Sequence, residues 1–301
     1  MARHSRAFLF LLALWAALPA RAQMTCGPSA LGEPCAQGGI ATLPGSNEPG
    51  LNLGAGNPIH LATGNKYQQE LDLPASPHAP ELELRRHYNS LDPRDSVLGP
   101  GWALSYDTRL FYAGGRWQII QADGSRLTFA RTGPESTRHG TLQAQARQWI
   151  WTWPNGQQNH FDHHGRLIRI LFAKGRTLDI ERRNAAGPEF GTIARLSTGH
   201  GPSLNFTYQI LNGQAYLSRV DTYAGSFHYH YEAIPAQTEG ARPSGPWRLQ
   251  GVTRPDGMQR RYLYEPALQA GHPFHLTGIE LVSADGQRRQ RIRTWAYNAS
   301  G

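Results

Sequence analysis

Between residues 167 and 286 an apolar pair spaced three apart recurs, followed five positions later by a glycine, and this periodicity constrains the fold more than any bulk property of the chain. The copies are Leu167/Ile170 then Gly175, Ile193/Leu196 then Gly201, Leu217/Val220 then Gly225, and Leu249/Val252 then Gly257; a fifth, Leu276/Ile279 then Gly286, carries two extra residues before its glycine. The second apolar residues step by 26, 24, 32 and 27 positions. Such self-similarity marks a repeat of supersecondary units, each too small to bury its apolar face alone.

After the glycine comes an alternating segment ending on aromatics: Phe206 and Tyr208, Tyr229 and Tyr231, Tyr262 and Tyr264, Trp295 and Tyr297. Alternation with a period of two is the pattern of a half-buried strand. Asp123-Gly124, Asn155-Gly156, Asp256-Gly257 and Asp285-Gly286 are dipeptides suited to the positive φ angles of hairpin turns. Each copy therefore reads as strand, tight turn, strand. Beyond Asn57 no segment places apolar residues at helical spacing over three turns. A lone hairpin is marginal in water, so neighbours must stack. The expected fold is all-β: serial antiparallel hairpins forming one long, curled or spiralling sheet with aromatics inward. Glu232 to Pro246 reads as an inserted surface loop.

The start of the chain has the form of a secretory signal. Arg3 and Arg6 form a basic start, Ala7 to Leu18 an apolar run too short to span a bilayer, and Ala20-Arg21-Ala22 a cleavage site, so the mature chain is expected to begin at Gln23 without a membrane anchor. Export to the periplasm, cell surface or medium is the expectation. The net charge of +8 falls to +5 once Arg3, Arg6 and Arg21 leave. Lysine occurs only at Lys66 and Lys174; the remaining positive charge is arginine, mixed with Asp and Glu along the chain. With no basic stripe or recognition helix, this is a solvated surface, and no nucleic-acid partner is expected. Cys26 and Cys35 lie just past the cleavage site; in an oxidising compartment one local disulfide is expected, with two free thiols as the alternative.

Two passages go beyond hairpin chemistry. Asn57-Pro58-Ile59-His60-Leu61-Ala62-Thr63-Gly64-Asn65-Lys66-Tyr67 is followed by Leu84-Arg85-Arg86-His87-Tyr88-Asn89-Ser90, by Leu98-Gly99-Pro100-Gly101-Trp102, and by Ser105-Tyr106-Asp107. In order and spacing these resemble the domain that opens many Rhs and YD-repeat proteins. Phe161-Asp162-His163-His164-Gly165-Arg166-Leu167 resembles the heart of the YD repeat with Phe for Tyr, and Tyr297-Asn298-Ala299-Ser300-Gly301 resembles the same heart with Asn for Asp, stopping before its Arg-Leu. The resemblance implies a spiralling YD-repeat-type sheet and a role in enclosing or displaying another polypeptide, often a toxin. It implies as partners other YD-repeat segments or a toxin or effector polypeptide. The chain departs from the family in having fewer repeats than a closed shell and no Asp-Pro self-cleavage core. The organisation expected is a signal over 1–22, a Gly/Pro-rich lead-in over 23–56, the opening domain over 57–112 and hairpin repeats over 113–301.

Few residues suggest chemistry. Trp149, Trp151 and Trp153 stand at strand spacing and share a face, either as an exposed platform for sugar rings or a partner, or as the buried side of a strand. Arg289, Arg291 and Arg293 alternate onto one face and either meet acidic glycans or another repeat, or form a solvated strand face. His160, His163, His164, His228 and His230 read as turn and surface residues, and no metal or other cofactor is expected. Asp123, Asp256 and Asp285 each precede glycine and serve turns, and Asp162 belongs to the repeat heart. No nucleophile elbow, phosphate loop or paired carboxylates stand out. The function expected is thus non-enzymatic: a scaffold segment of an exported Rhs/YD-repeat system. A stand-alone glycan- or protein-binding module is the alternative, and a periplasmic hydrolase the outsider.

Overall fold

The computed structural model describes residues 65–297 except 78, 93, 130–134, 138–139, 200, 235–245 and 265–272, together with two short strands preceding them. These two, β1 (Gly54–Ala55) and β2 (Ile59–His60), pair with each other. The expected disulfide cysteines Cys26 and Cys35, and the motif residues Asn57, Pro58, Thr63 and Gly64, lie outside the described residues. All regular structure among the described residues is strand.

Strands β3 (Tyr67–Leu73), β4 (Leu84–Asn89) and β5 (Trp102–Leu104) form one antiparallel sheet, and β6 (Arg109–Ala113), β7 (Arg116–Ile120) and β8 (Arg126–Phe129) a second. The remaining strands form one sheet of 14, each paired with its neighbours in sequence. They are β9 (Glu135–Thr137), β10 (Gly140–Gln145), β11 (Gln148–Thr152), β12 (Gln158–Phe161), β13 (Leu167–Leu171), β14 (Thr177–Arg182), β15 (Ile193–Ser197), β16 (Ser203–Leu211), β17 (Gln214–Thr222), β18 (Gly225–Ala233), β19 (Trp247–Thr253), β20 (Gln259–Tyr264), β21 (Leu276–Val282) and β22 (Arg289–Thr294). The expected boundary between 112 and 113 falls inside the β6–β7 hairpin; the break between sheets comes instead after Phe129.

The repeat has a specific structural cause. In a regular strand, residues three apart point to opposite faces. Here both members of every pair are buried, none more than 2% exposed. The reconciliation is a one-residue bulge between them, in all five copies. Phe161 pairs with Leu167 but His160 with Arg169; Arg182 with Ile193 but Glu181 with Arg195; Tyr208 with Leu217 but Thr207 with Arg219. Tyr231 pairs with Leu249 but His230 with Gly251, and Tyr264 with Leu276 but Leu263 with Gly278. Ile168, Ala194, Ser218, Gln250 and Thr277 are thus the extra residues, and the bulge turns both apolar neighbours to one side.

Turn chemistry agrees with the sequence in position but differs in detail. Gly124, Gly156, Gly257 and Gly286 have positive φ, while the Asp or Asn before each does not. That residue instead accepts a hydrogen bond from the amide two positions on, as Asn155 Oδ1 does from Gln157 N at 3.0 Å. These are glycine-bulge turns rather than two-residue turns. The second copy places its positive φ at Gly199, not Gly201. Asn212-Gly213, with positive φ at both residues, makes the two-residue turn between β16 and β17.

One hydrophobic core runs through the molecule, from Leu73, Leu98 and Trp102 to Leu249, Tyr262 and Ile279. Residues 65–129 supply one side of it and the inward face of the 14-stranded sheet the other. Contacts follow the strand order: Trp117 stacks on Trp149 of β11, Leu110 N donates to Gly165 O, Arg182 to Tyr106 O, Leu217 N to Val97 O, and Lys66 lies over the Trp295 ring just past β22. Laid flat, β11 to β22 would span about 53 Å at the usual strand spacing. A compact unit of this size is only about 28 Å across, so a sheet touching it from both ends is curled around it.

Candidate functional site

The seat of residues 65–129 on the inward face of the sheet concentrates the polar chemistry of the molecule. Its centre is Arg86, which is fully buried on β4. The Arg86 guanidinium donates from Nε to Asp72 Oδ2 at 2.7 Å and from Nη2 to Asp72 Oδ1 at 2.8 Å, on the neighbouring strand β3. Nη2 also reaches the Tyr262 hydroxyl on β20 at 2.8 Å, and the Tyr229 hydroxyl on β18 donates to Asp72 Oδ2 at 2.9 Å. Rings of Trp102, Tyr229 and Tyr262 stand 5.1 to 5.8 Å from the guanidinium carbon. Burial works against the Arg86 cation, but Asp72 and the two tyrosines more than offset it and hold Arg86 well above its ordinary value. Burial, with Asp72 beside it, pushes the Tyr229 phenol well up, and burial pushes Tyr262 up to about 12.

Around this centre, further tyrosines tie the two layers. The Tyr88 hydroxyl donates to Phe274 O at 3.0 Å and accepts from Leu276 N at 2.9 Å. Trp102 Nε1 donates to the Tyr264 hydroxyl at 3.0 Å, and the Tyr231 hydroxyl bonds Val97 O at 3.1 Å and Leu217 O at 2.8 Å. Gly99, with φ +86°, lets the backbone pass Trp247, whose carbonyl oxygen would lie 2.5 Å from a Cβ there. At Gly101 a Cβ would come within 2.9 Å of the Tyr88 ring. Pro100 joins these two close approaches, and Asp107 closes the following turn by accepting from Leu104 N at 2.8 Å. Asn89 donates to Asp123 O at 3.0 Å and so fastens the first small sheet to the turn of the second.

The repeat heart at 161–167 docks onto the same unit. Asp162 accepts from the backbone amides of His164 and Arg166 at 2.9 Å each and from Arg166 Nε at 2.8 Å. Burial works against its charge, but the Arg166 amide and guanidinium hold Asp162 below the usual carboxylate value. Gly165, with φ +71°, sits where a Cβ would overlap the Leu110 carbonyl oxygen, and its own carbonyl accepts from Leu110 N at 2.8 Å. Glycine is required here by both backbone angle and space.

Other sequence candidates fall elsewhere. Trp151 and Trp153 are 0% and 2% exposed, and Trp149 is half-buried against Trp117, so the row forms part of the core and not an exposed platform. Arg289, Arg291 and Arg293 are exposed on β22, and Arg291 Nη2 donates to Thr277 O at 3.0 Å. His163 and His164 stack on one another in an exposed turn, whereas His230 bonds Thr253 on the outward face. Among the described residues no three His, Cys, Asp or Glu side chains are grouped to hold a metal.

Asp72, Tyr229, Tyr231, Tyr262 and Tyr264 form this interface without having been singled out as interface residues in the sequence. The tyrosines were legible as inward strand positions. Their partners, 134 to 176 residues away in several cases, were not.

Comparison with known proteins places part of this unit. The chain is 34% identical over 73 residues to the tRNA nuclease WapA of Bacillus subtilis strain 168, and equally to the tRNA3(Ser)-specific nuclease WapA of Bacillus spizizenii. That stretch is 24% of this chain and 3% of either relative. Among solved structures, the TcdB2-TccC3 crystal structure matches at 11% identity with a TM-score of 0.35, over 74% of this chain and 15% of that one. The N-terminal domain of effector protein SpvB from Salmonella typhimurium strain LT2 matches at 14% identity with a TM-score of 0.29, over 76% of this chain and 98% of that one. Residues 56–129, which hold Arg86, Tyr88, the Gly99–Trp102 corner and both small sheets, match the family described as Domain of unknown function (DUF6531).

Proposed function

We propose that this chain is a non-enzymatic scaffold segment of an exported Rhs/YD-repeat system, whose work is to start and cap a curled hairpin sheet that encloses or displays a toxin or effector polypeptide. The observation that carries this reading is the use made of the interfacial polar groups: Arg86, Asp72, Tyr88, Tyr229, Tyr231, Tyr262 and Tyr264 are bonded across the two layers to one another, to Trp102 or to backbone. Groups so engaged hold a register and an orientation. The DUF6531 match and the resemblance of the 161–167 heart to the YD repeat support the family side of the proposal. Burial of Trp151 and Trp153 removes the observation that motivated a glycan platform.

The test uses the whole chain with its leader, tagged at the C-terminus and produced in a Gram-negative host. The expected result is recovery outside the cytoplasm with a new N-terminus at Gln23. Purified protein is expected to leave total tRNA intact and to co-purify with a polypeptide encoded immediately downstream. Retention in the cytoplasm, or cleavage of tRNA lost in a point variant of this chain, overturns the reading.

A further inference from the structure

One copy of the repeat departs from the others at a position that faces a cavity. The residue opposite the first apolar member is aromatic in four copies: Phe161, Tyr208, Tyr231 and Tyr264. In the β14–β15 copy it is Arg182, set opposite Ile193. A half-buried cation has replaced a ring in an otherwise aromatic row. Beside it lies a cavity of about 350 Å³ between residues 65–129 and the sheet, within the size range of small-molecule pockets.

The walls carry unused donor capacity. Arg182 donates to Leu167 O at 2.8 Å, Gly191 O at 2.9 Å and Tyr106 O at 3.2 Å, three carbonyls and no carboxylate. Burial is the strongest influence on Arg182 and holds it below the ordinary guanidinium value, with Asp107 the chief opposing charge. Arg166 is 8% exposed; Asp162 takes its Nε and Nη2, while its Nη1 is buried without a hydrogen-bond partner. Gly191 makes room for that group, since a Cβ there would stand 2.5 Å from Nη1. Arg109 is exposed on the same wall. The negative charge on the wall, Asp107 and the exposed Asp95, limits what can be added.

The lip is apolar and open. Phe190, 47% exposed, belongs to the 183–192 loop, which is folded on itself by Gly191 N to Arg183 O at 2.8 Å and Phe190 N to Gly187 O at 3.0 Å. The Arg166 guanidinium lies 4.8 Å from the Phe190 ring and His164 meets that ring edge-on. Trp102 and Leu104 line the inner side.

We propose that this cavity binds a small organic monoanion, a carboxylate carried on a planar or apolar body, with the carboxylate between Arg166 and Arg182 and the body against Phe190. The unpartnered Arg166 Nη1 and the second protons of the Arg182 Nη groups suit one carboxylate between them, and the two aspartates in the same wall disfavour a dianion. This goes beyond the scaffold reading and stands without it.

Calorimetric titration of the full chain with phenylacetate, phenylacetamide and inorganic phosphate tests the site. Phenylacetate is expected to bind one to one, and the neutral amide and phosphate at least about tenfold more weakly. Arg166→Met is expected to weaken phenylacetate by about tenfold or more. Because Arg166 also docks the repeat heart, the exposed variants Phe190→Ala and Arg109→Gln serve as fold-neutral tests, each expected to weaken binding by about threefold or more with an unchanged circular dichroism spectrum. Absence of phenylacetate binding, equal binding of the amide or of phosphate, or full affinity in both exposed variants overturns the proposal.

Discussion

Arg86 and Asp72 form a buried pair that also bonds tyrosines of strands more than 150 residues away, with Arg86 Nη1 left without a hydrogen-bond partner. Removing one partner leaves the other charge buried and uncompensated, which typically costs about 3–5 kcal/mol, whereas replacing both by apolar residues costs far less. Arg86→Met is therefore expected to lower unfolding free energy by about that amount in urea titrations, and Arg86→Met with Asp72→Leu to recover roughly half of the loss. Glycines separate in the same way by surroundings. Gly165 and Gly156 both have positive φ, but a Cβ at 165 overlaps Leu110 O while nothing lies within 4 Å of one at 156. Gly165→Ala should cost roughly 2–4 kcal/mol and Gly156→Ala about 1 kcal/mol, measured by the same titration. Equal costs would mean that contact with Leu110 adds nothing at Gly165.

At the level of strands, the bulge is the device that makes the repeat work. It sets Leu217 and Val220 on one face by giving β17 one residue more than β16. Deleting Ser218 would leave Leu217 and Val220 two apart and regularly paired with Tyr208 and Phe206, so both stay inward and the cost in a urea titration should stay below the roughly 3 kcal/mol of exposing either one. Ser218→Ala keeps the bulge and loses only the 3.0 Å hydrogen bond to Thr207 O, so it should cost under about 1 kcal/mol. The aromatic strands impose a pH limit. Tyr88, Tyr229, Tyr231 and Tyr264 are raised by burial, and Tyr262 to about 12, against an ordinary value of 10. A phenol with a raised folded value binds its proton more tightly when folded. Its contribution is fully present below pH 10 and is lost as pH rises above 10 toward the folded values. Urea midpoints are expected to fall steeply between pH 10 and 12, and less steeply in Tyr262→Phe.

Over the whole molecule, residues 65–129 and the 14-stranded sheet share one core, so neither has a complete apolar interior alone. Tryptophan fluorescence and far-ultraviolet circular dichroism should therefore report coincident urea transitions. Two separated transitions would show that the sheet is stable without its cover. The all-β architecture, the hairpin order and the inward residues of five copies were legible in the sequence, because a two-residue strand period and glycine turns are local. The bulge was present there too, as a spacing of three that no regular strand explains. Which side of β11 faces the core was not legible for Trp149, Trp151 and Trp153, since one strand shows only that they share a face. The Arg86 network, the Gly165 contact and the cavity beside Arg182 required the fold. The sequence by itself determined the hairpins, because each rests on neighbours a few residues apart. Only the tertiary structure decided what those hairpins curl around, because that choice depends on apolar and polar groups meeting across more than a hundred residues of chain.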